Sequence, residues 1–379
     1  MSPIKVLYVL DKLTVGDAHL HGVTRLCAWW IPAFDRRDFE VSAVSLRGRD
    51  EAGAYLESLG VTMHYLGRSS FAPRAIPALL SLVRREGIDL LHLHGYGATN
   101  FGRICAWLLR IPCIVHEHIV DENMPGVQRI ADRLLSRICT HAIAISQSVC
   151  AFMSDERALP RDRIDVIYNG IPLEAYEGEG PASTTWREAA GIPAHHAVVS
   201  IVGRLNELKG HRYFLEAAAM ILERQPEVSF AIVGDGELMA ELESLCARLG
   251  IAPRVFFLGH RNDVPDILRG SDISVVASLS EGGPLVLFEA MAGRCATLIT
   301  ETCGLAELIE EGVNGFVVPA RDSSAIAEKT LALLEDDHLA KQVAERGRRD
   351  AFEYDVKSTV AKFEKIYRNL VRIEAPHRG

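Results

Sequence analysis

The chain has 379 residues, with 41 Lys and Arg against 50 Asp and Glu for a formal net charge of -9; 48% of it is hydrophobic and 24% charged. This length accommodates two or three domains with sizeable cores, and the composition excludes wholesale disorder. The acidic excess argues against a nucleic-acid surface, which needs a clear basic surplus. The eight cysteines include no C-x-x-C pair and sit mostly in apolar segments, so they read as reduced core residues of a cytoplasmic protein. The opening MSPIKVLYVLDK runs straight into an apolar strand pattern, so no signal peptide is expected. The longest stretch free of Asp, Glu, Lys and Arg, 138–154, contains His, Ser and Gln and makes a poor membrane span.

Up to Ala175 the two charge signs balance at 19 each, whereas the remainder carries 22 positive and 31 negative residues. Such asymmetry points to two units with different surroundings. Apolar runs at 6–10, 39–46, 61–66, 89–94, 113–118, 142–145 and 164–167 alternate with helical patterns, as strands buried on both faces of a parallel sheet do. The alternation predicts a doubly wound sheet. After the first strand comes DKLTVGDAHLHGVTRL, where Gly16 and Gly22 bracket a loop at a strand's carboxyl end; it reads either as a ligand-approaching loop or as a flexible connector. HLHGYGATN places His94 and Tyr96 at another strand end, and IVHEHI does the same for His118. Histidine serves there as donor, acceptor or proton carrier. Alternation along the strand is expected to point His116 and Glu117 away from His118. Two H-x-H groups also admit a metal site, but further ligands are not evident. GVQRIADRLLSRIC sets Arg129, Arg133 and Arg137 in a stripe taken to lie opposite Ile130, Leu134 and Ile138. The stripe reads as a solvated basic face, or as a contact with anionic membrane lipid or a lipid-diphosphate acceptor. Trp29 and Trp30 read as buried, or as joining such a lipid-facing surface.

Residues 169–196, rich in Gly, Pro and small polar side chains, break the rhythm and read as a connection with a short helix at 186–190. The alternation restarts with strands at 198–202, 229–233, 255–258, 273–277, 297–299 and 315–317. In GRLNELKG, Arg204 and Lys209 lie on a loop between a strand and a helix start, a seat suited to a pyrophosphate, although singly they also read as surface cations. GDGEL at 234–238 lacks a third glycine at dinucleotide spacing and reads as a tight turn, with a ligand role secondary. In SEGGPLVLFEAMA, Gly282 and Gly283 permit close backbone approach and Pro284 suits a helix's first turn, whose free amides can bind an anion or sugar oxygens. Glu281 precedes that helix. Glu289 falls in an apolar stretch inside it and needs hydroxyl or backbone partners.

GRLNELKG with Gly203, Arg204, Lys209 and Gly210, FLGHRNDVPDIL, the spaced glutamates of EGGPLVLFE, and GLAELIEEGVNGFVVPARD together resemble glycosyltransferase family 4, retaining enzymes of the GT-B fold. The first half resembles it mainly in architecture. The resemblance implies an α/β chain of two Rossmann-like doubly wound domains facing a cleft: an acceptor-side domain at 1–170, a linker at 171–195 and a donor-binding domain at 196–351. The helix within 352–379 would cross back to the first domain.

The resemblance implies that Arg204 and Lys209 hold the donor diphosphate, that Glu289 holds the ribose hydroxyls, and that Glu281 contacts the donor sugar beside the amides of Gly282, Gly283 and Leu285. Backbone around Gly259 and Arg261 frames the base. His118 faces the reacting sugar, Gly22 approaches the donor, and Gly16, His94 and Tyr96 lie on the acceptor side. The usual adjacent Gly-Gly pair near Gly22 is absent, so which glycine serves stays open. The implied function is transfer of a sugar, with retention, from a UDP- or GDP-type nucleotide sugar to a glycan or polyprenyl- or lipid-linked acceptor. The setting would be envelope or exopolysaccharide synthesis at the inner face of the plasma membrane. No cofactor is expected. Without an Asp-x-Asp triplet, transfer is expected to be metal-independent. A nucleotide-sugar epimerase or hydrolase of the same fold, or a non-catalytic nucleotide-sugar-binding partner, are the alternatives.

Overall fold

A computed structural model describes residues 2–15, 19–20, 22–67, 74–121, 123–177 and 185–374. The chain divides into two units, 1–170 with 356–379, and 171–355. The first contains a seven-stranded parallel sheet of β1 (Ile4–Leu10), β2 (Phe39–Ser45), β3 (Thr62–Tyr65), β4 (Leu90–His94), β5 (Cys113–Glu117), β6 (His141–Ala144) and β7 (Ile164–Val166), in the order β3-β2-β1-β4-β5-β6-β7. Their Val, Ile and Leu runs are buried on both faces, which is why the sequence shows continuous apolar stretches instead of strict alternation. A short antiparallel pair, Thr14–Val15 with His19–Leu20, follows β1.

The second unit repeats the plan with β8 (Ala197–Val202), β9 (Val228–Val233), β10 (Val255–Gly259), β11 (Ile273–Val276), β12 (Ala296–Thr300) and β13 (Phe316–Val318), in the order β10-β9-β8-β11-β12-β13. Both sheets reverse their winding once, between β1 and β4 in the first and between β8 and β11 in the second. A doubly wound sheet binds its ligand at the carboxyl ends of the strands flanking such a reversal.

Residues 171–177 and 185–196, expected as a linker, form part of the second unit. Ile171, Leu173, Tyr176, Trp186 and Ile192 are all buried, and Trp186 and Ile192 pack with Val198, Ala231, Val233 and Ile267. A tract with this much apolar surface cannot stay solvated, whatever its Gly and Pro content. Helix α6 (Val356–Glu374) belongs to the first unit, where Phe363 and Tyr367 are fully buried. All eight cysteines are free and buried.

The first unit also encloses a charge network. In α2 (Tyr96–Leu109), Arg103 donates to Asp132 of α3 (Gly126–Leu135) at 2.5 Å. Arg157 donates to both oxygens of Asp132 at 3.0 Å, and also to Glu117. The side chains of Arg103, Arg157 and Asp132 are completely buried. Burial pushes the Asp132 carboxyl up, but the two guanidiniums outweigh it and hold it below the usual range. Gln128 completes the network, donating to Asp132 at 3.0 Å and exchanging bonds with Asn100. Asp132→Ala leaves the buried Arg103 without a carboxylate and Arg157 with Glu117 alone, and breaking a buried pair in this way costs about 3–5 kcal/mol. We expect a lowered urea midpoint, whereas substitution of the exposed Arg133 on the same helix leaves the midpoint within error.

Candidate active site

In the second unit the loop after β8 carries Gly203 and Arg204, passes through a short turn at Glu207–Lys209, and enters α4 (His211–Arg224) at Gly210. The loop after β11 carries Ser278 to Pro284 and enters α5 (Leu285–Ala292). β8 and β11 are hydrogen-bonded neighbours, so these loops emerge side by side at the reversal of the sheet. There Lys209 Nζ lies 2.6 Å from both carboxylate oxygens of Glu281, and the Ser278 hydroxyl donates to the same carboxylate at 2.9 Å. Lys209 and Glu281 are each one-quarter exposed, so solvent reaches the pair and a ligand can too. Arg204 reaches Glu237 at 3.1 Å through one guanidinium nitrogen, while its buried Nε has no partner. Neither α4 nor α5 has a side chain capping its first turn. The first amides of a helix lack intrahelical acceptors and favour negative charge.

The loop geometry explains the glycines. Gly210 has φ +68, and a Cβ there would sit 2.0 Å from the Ala277 carbonyl oxygen. Gly234 has φ +138, and its Cβ would meet the Gly203 carbonyl oxygen at 2.0 Å. Leu205 N–H donates to Asp235 at 2.9 Å and Gly234 N–H donates to Gly259 at 2.8 Å, so the turns after β8, β9 and β10 are laced together. GDGEL is therefore a buttress for the Arg204 loop. Gly282 and Gly283 are not among the glycines with positive φ. Pro284 stands just outside α5 as its cap residue, not in its first turn. Glu289, one turn inside α5, is 3% exposed. Arg261 is held by Asp263 at 2.5 and 2.7 Å beside Gly259, which has φ +66.

The corresponding reversal in the first unit is built around a carboxylate. Asp11, immediately after β1, accepts from the backbone N–H of Gly97 at 2.9 Å and from that of Ala98, in the first turn of α2. A Cβ on Gly95 would press on this carboxylate at 2.8 Å. The first turn of α2 is thus occupied by the protein's own anion. Nothing in the sequence pattern distinguished Asp11; only its position at the sheet reversal could have marked it. Tyr96, the first residue of α2, donates its hydroxyl to Asp121 at 2.9 Å.

Beside Asp11 the histidines form a stack. His94 Nδ1 lies 3.0 Å from His118 Nε2, and His92 Nε2 lies 3.0 Å from His116 Nδ1. His116 does not point away from His118 as expected. Residues two apart on a strand share a face, and these two rings stack at 4.3 Å. Glu117 does turn to the opposite side, toward Arg157. The buried Trp30 of α1 (Gly22–Ala33) lies over His116 at 5.4 Å and 12°. The Tyr367 hydroxyl, from α6, reaches His92 at 2.5 Å and Tyr8 at 2.8 Å. Burial is the main cause holding His92 and His116 far below the usual imidazole range, so both are neutral. Ring nitrogens of His92, His94 and His116 lie within 4.8 Å of one another, so these three could hold a metal ion. His92 and His94 stack at 18°, closer to parallel than to rings converging on one ion. Gly22, at the start of α1, is exposed with open space where a Cβ would sit. Gly16 lies outside the described residues.

Residues 20–175 match the family model described as Glycosyltransferase Family 4, and residues 182–350 match Glycosyl transferases group 1. The chain belongs to glycosyltransferase family 4. Among its relatives is the UDP-Gal:alpha-D-GlcNAc-diphosphoundecaprenol alpha-1,3-galactosyltransferase of Escherichia coli, 28% identical over 309 residues, covering 79% of this chain and 80% of that one. Another is the D-inositol 3-phosphate glycosyltransferase of Corynebacterium glutamicum, 27% identical over 318 residues and covering 78% and 76%. The crystal structure of Anabaena HepE with UDP superposes with a TM-score of 0.86 at 24% identity, covering 97% of this chain and all of that one. A glycosyltransferase from Rickettsia africae gives 0.84 at 18% identity, covering 98% and 99%. The fold of this glycosyltransferase is GT-B, built from two Rossmann-like units.

Burial raises the Asp11 carboxyl from 3.8 to about 6, outweighing the two amides that lower it. A carboxyl raised in the folded state binds more protons than its unfolded counterpart between those values, so its contribution to stability falls as pH rises from about 4 to 6. Carbon-detected NMR is expected to show an aspartate titrating near pH 6 that disappears in Asp11→Asn. That variant should also have a flatter urea-stability profile across the same interval.

Proposed function

We propose that this glycosyltransferase moves a hexosyl group, with retention and without a metal ion, from a nucleoside-diphosphate sugar to a lipid-linked or glycan acceptor in cell-envelope or exopolysaccharide assembly. The observation that carries the reading is the contrast between the two sheet reversals. The second sheet's reversal offers Lys209, Arg204 and the uncapped start of α5, while Asp11 fills the equivalent place in the first. A diphosphate is drawn to the former and repelled from the latter.

Uridine is the favoured base. HepE has been crystallised with UDP, with UDP and glucose, and with UDP-glucose, and the Escherichia coli relative is named for UDP-Gal and a diphosphoundecaprenol-linked acceptor. In the reaction the bond from the sugar's anomeric carbon to the diphosphate breaks and the acceptor oxygen takes its place on the same face. The acceptor's proton leaves with the released nucleotide. Arg204, Lys209 and the Gly283 and Leu285 amides stabilise charge as it builds on the departing diphosphate. Because Lys209 is bound to Glu281, the phosphate's cation and the sugar's carboxylate are set at a fixed spacing. Glu289 binds the ribose hydroxyls, the Gly259 to Arg261 turn frames the base, and Gly22 and His118 are assigned to the sugar in transit. His94, bonded to His118, and Tyr96 are assigned to the acceptor side. No helix among the described residues is long and apolar enough to cross a membrane, and action at the inner membrane face would rest on peripheral contact.

A thermal-shift screen over nucleotide sugars is expected to raise Tm with a UDP-sugar, because a ligand that binds only the folded chain stabilises it by mass action. Lys209→Ala and Glu289→Ala should lose that shift while keeping their own cooperative melts; a shift retained in both would move the donor site elsewhere. With an added acceptor, the new linkage should keep the donor's anomeric configuration by NMR, and rates should survive excess chelator. Free sugar or an epimer as the sole product would overturn transfer, and activity restored only by a divalent ion would overturn metal independence.

A further inference from the structure

Helix α3 and the 3-10 turn that continues it, Ser136–Ile138, are built inside out. Successive helical residues stand about 100° apart, so the arginine stripe adjoins the apolar stripe and does not lie opposite it. The positions turned inward are polar: Gln128, Asp132 and Ser136 are buried, because Asp132 and Gln128 serve the arginine network described above. The positions turned outward are apolar. Val127 is 80% exposed, and Ile130 and Leu134 are each 65% exposed. Arg129, Arg133 and Arg137 are exposed along one flank, and the segment's single acid is the buried Asp132. Arg129 also meets Glu156 at 3.3 Å. Trp107, 60% exposed, stands one turn beyond Arg103 on α2, the helix that packs against α3.

We propose that the outward face of α3 docks on an anionic lipid bilayer, with Val127, Ile130 and Leu134 entering the headgroup-acyl boundary and the three arginines meeting lipid phosphates. An interfacial helix needs this combination of an apolar stripe, basic flank and low net hydrophobicity. Charge selects the occupant. A second copy apposed through the same face would bring a second set of three arginines, and no exposed acid on this segment, to the contact. An anionic bilayer complements that stripe, and it would attract this chain of net charge -9 only at a locally basic patch. The inward carboxylate anchors the helix, so the outer face contributes little to packing. The inference rests on the peripheral membrane contact in the proposed function, and vesicle binding is read without sugar transfer, so the two can fail separately.

The test is co-sedimentation of the full chain with vesicles of phosphatidylcholine alone and of phosphatidylcholine mixed with phosphatidylglycerol. Binding is expected to the mixed vesicles only, weakening as salt rises. The triple variant V127S/I130S/L134S should bind at least about tenfold more weakly, and R129E/R133E/R137E should not pellet. Both should keep the wild-type thermal melt. As a separate readout, Ile130→Trp should shift its emission to the blue with mixed vesicles. Wild-type protein left in the supernatant with both vesicle types would overturn the proposal. So would undiminished binding in both triple variants, or a dimer in sedimentation velocity that the serine variant dissociates while vesicle binding persists.

Discussion

The ion pair between Lys209 and Glu281 joins the loops that follow β8 and β11 in the second unit. It spans the point where the winding of that sheet reverses, with one partner delivered after β8 and the other after β11. Neighbouring parallel strands place their following loops side by side, so residues 72 apart in the chain meet within 2.6 Å. The pair is only partly shielded, so its stabilising energy is modest. Its larger effect is positional, because each charged group is held where a ligand at the sheet's carboxyl edge would meet it. The glycines at 210 and 234 belong to the same constraint. They let the loops press against the Ala277 and Gly203 carbonyls, closer than any side chain allows.

The first unit solves the same topological problem differently. Its reversal point is closed by Asp11 on the first turn of α2, and the adjoining face of β4 and β5 is covered by four imidazoles under Trp30. His92 and His116, kept neutral by burial, suit this position, since a neutral imidazole can donate and accept without leaving a buried charge. Helix α6 closes the stack by supplying Tyr367, so residues near the end of the chain complete a layer begun by Tyr8 in its first strand. Two sheets of similar topology thus present an edge of ion-paired cations and an edge where a carboxylate caps a helix.

The buried arginine network and the exposed face of α3 are two sides of one arrangement. Arg103 and Arg157 bring positive charge into the interior, which requires Asp132 to face inward. A helix that spends its inner face on a carboxylate and an amide must place its apolar residues elsewhere, and here they face outward. Amphipathic patterning ordinarily tells which face is buried, and in α3 a single internal counter-ion reverses that rule.

The alternation of apolar runs and helical patterns determined thirteen parallel strands in two sheets, because strands buried on both faces leave a local hydrophobic signature. The placement of Arg204, Lys209 and Glu281 on loops after strands, and of Glu289 inside a helix, was equally legible, since these are local features. Other properties were settled only by tertiary structure. Residues 171–177 and 185–196 looked like a connection and proved to be packed, because burial of Trp186 depends on distant strands. Asp11 acquired its role from a helix start more than eighty residues away, and His116 joined His118 because a two-residue period returns side chains to one face. The direction in which α3 presents its apolar stripe was invisible to periodicity, which reports that a helix has two faces. Which face is buried was decided by where the counter-charges of Arg103 and Arg157 had to lie.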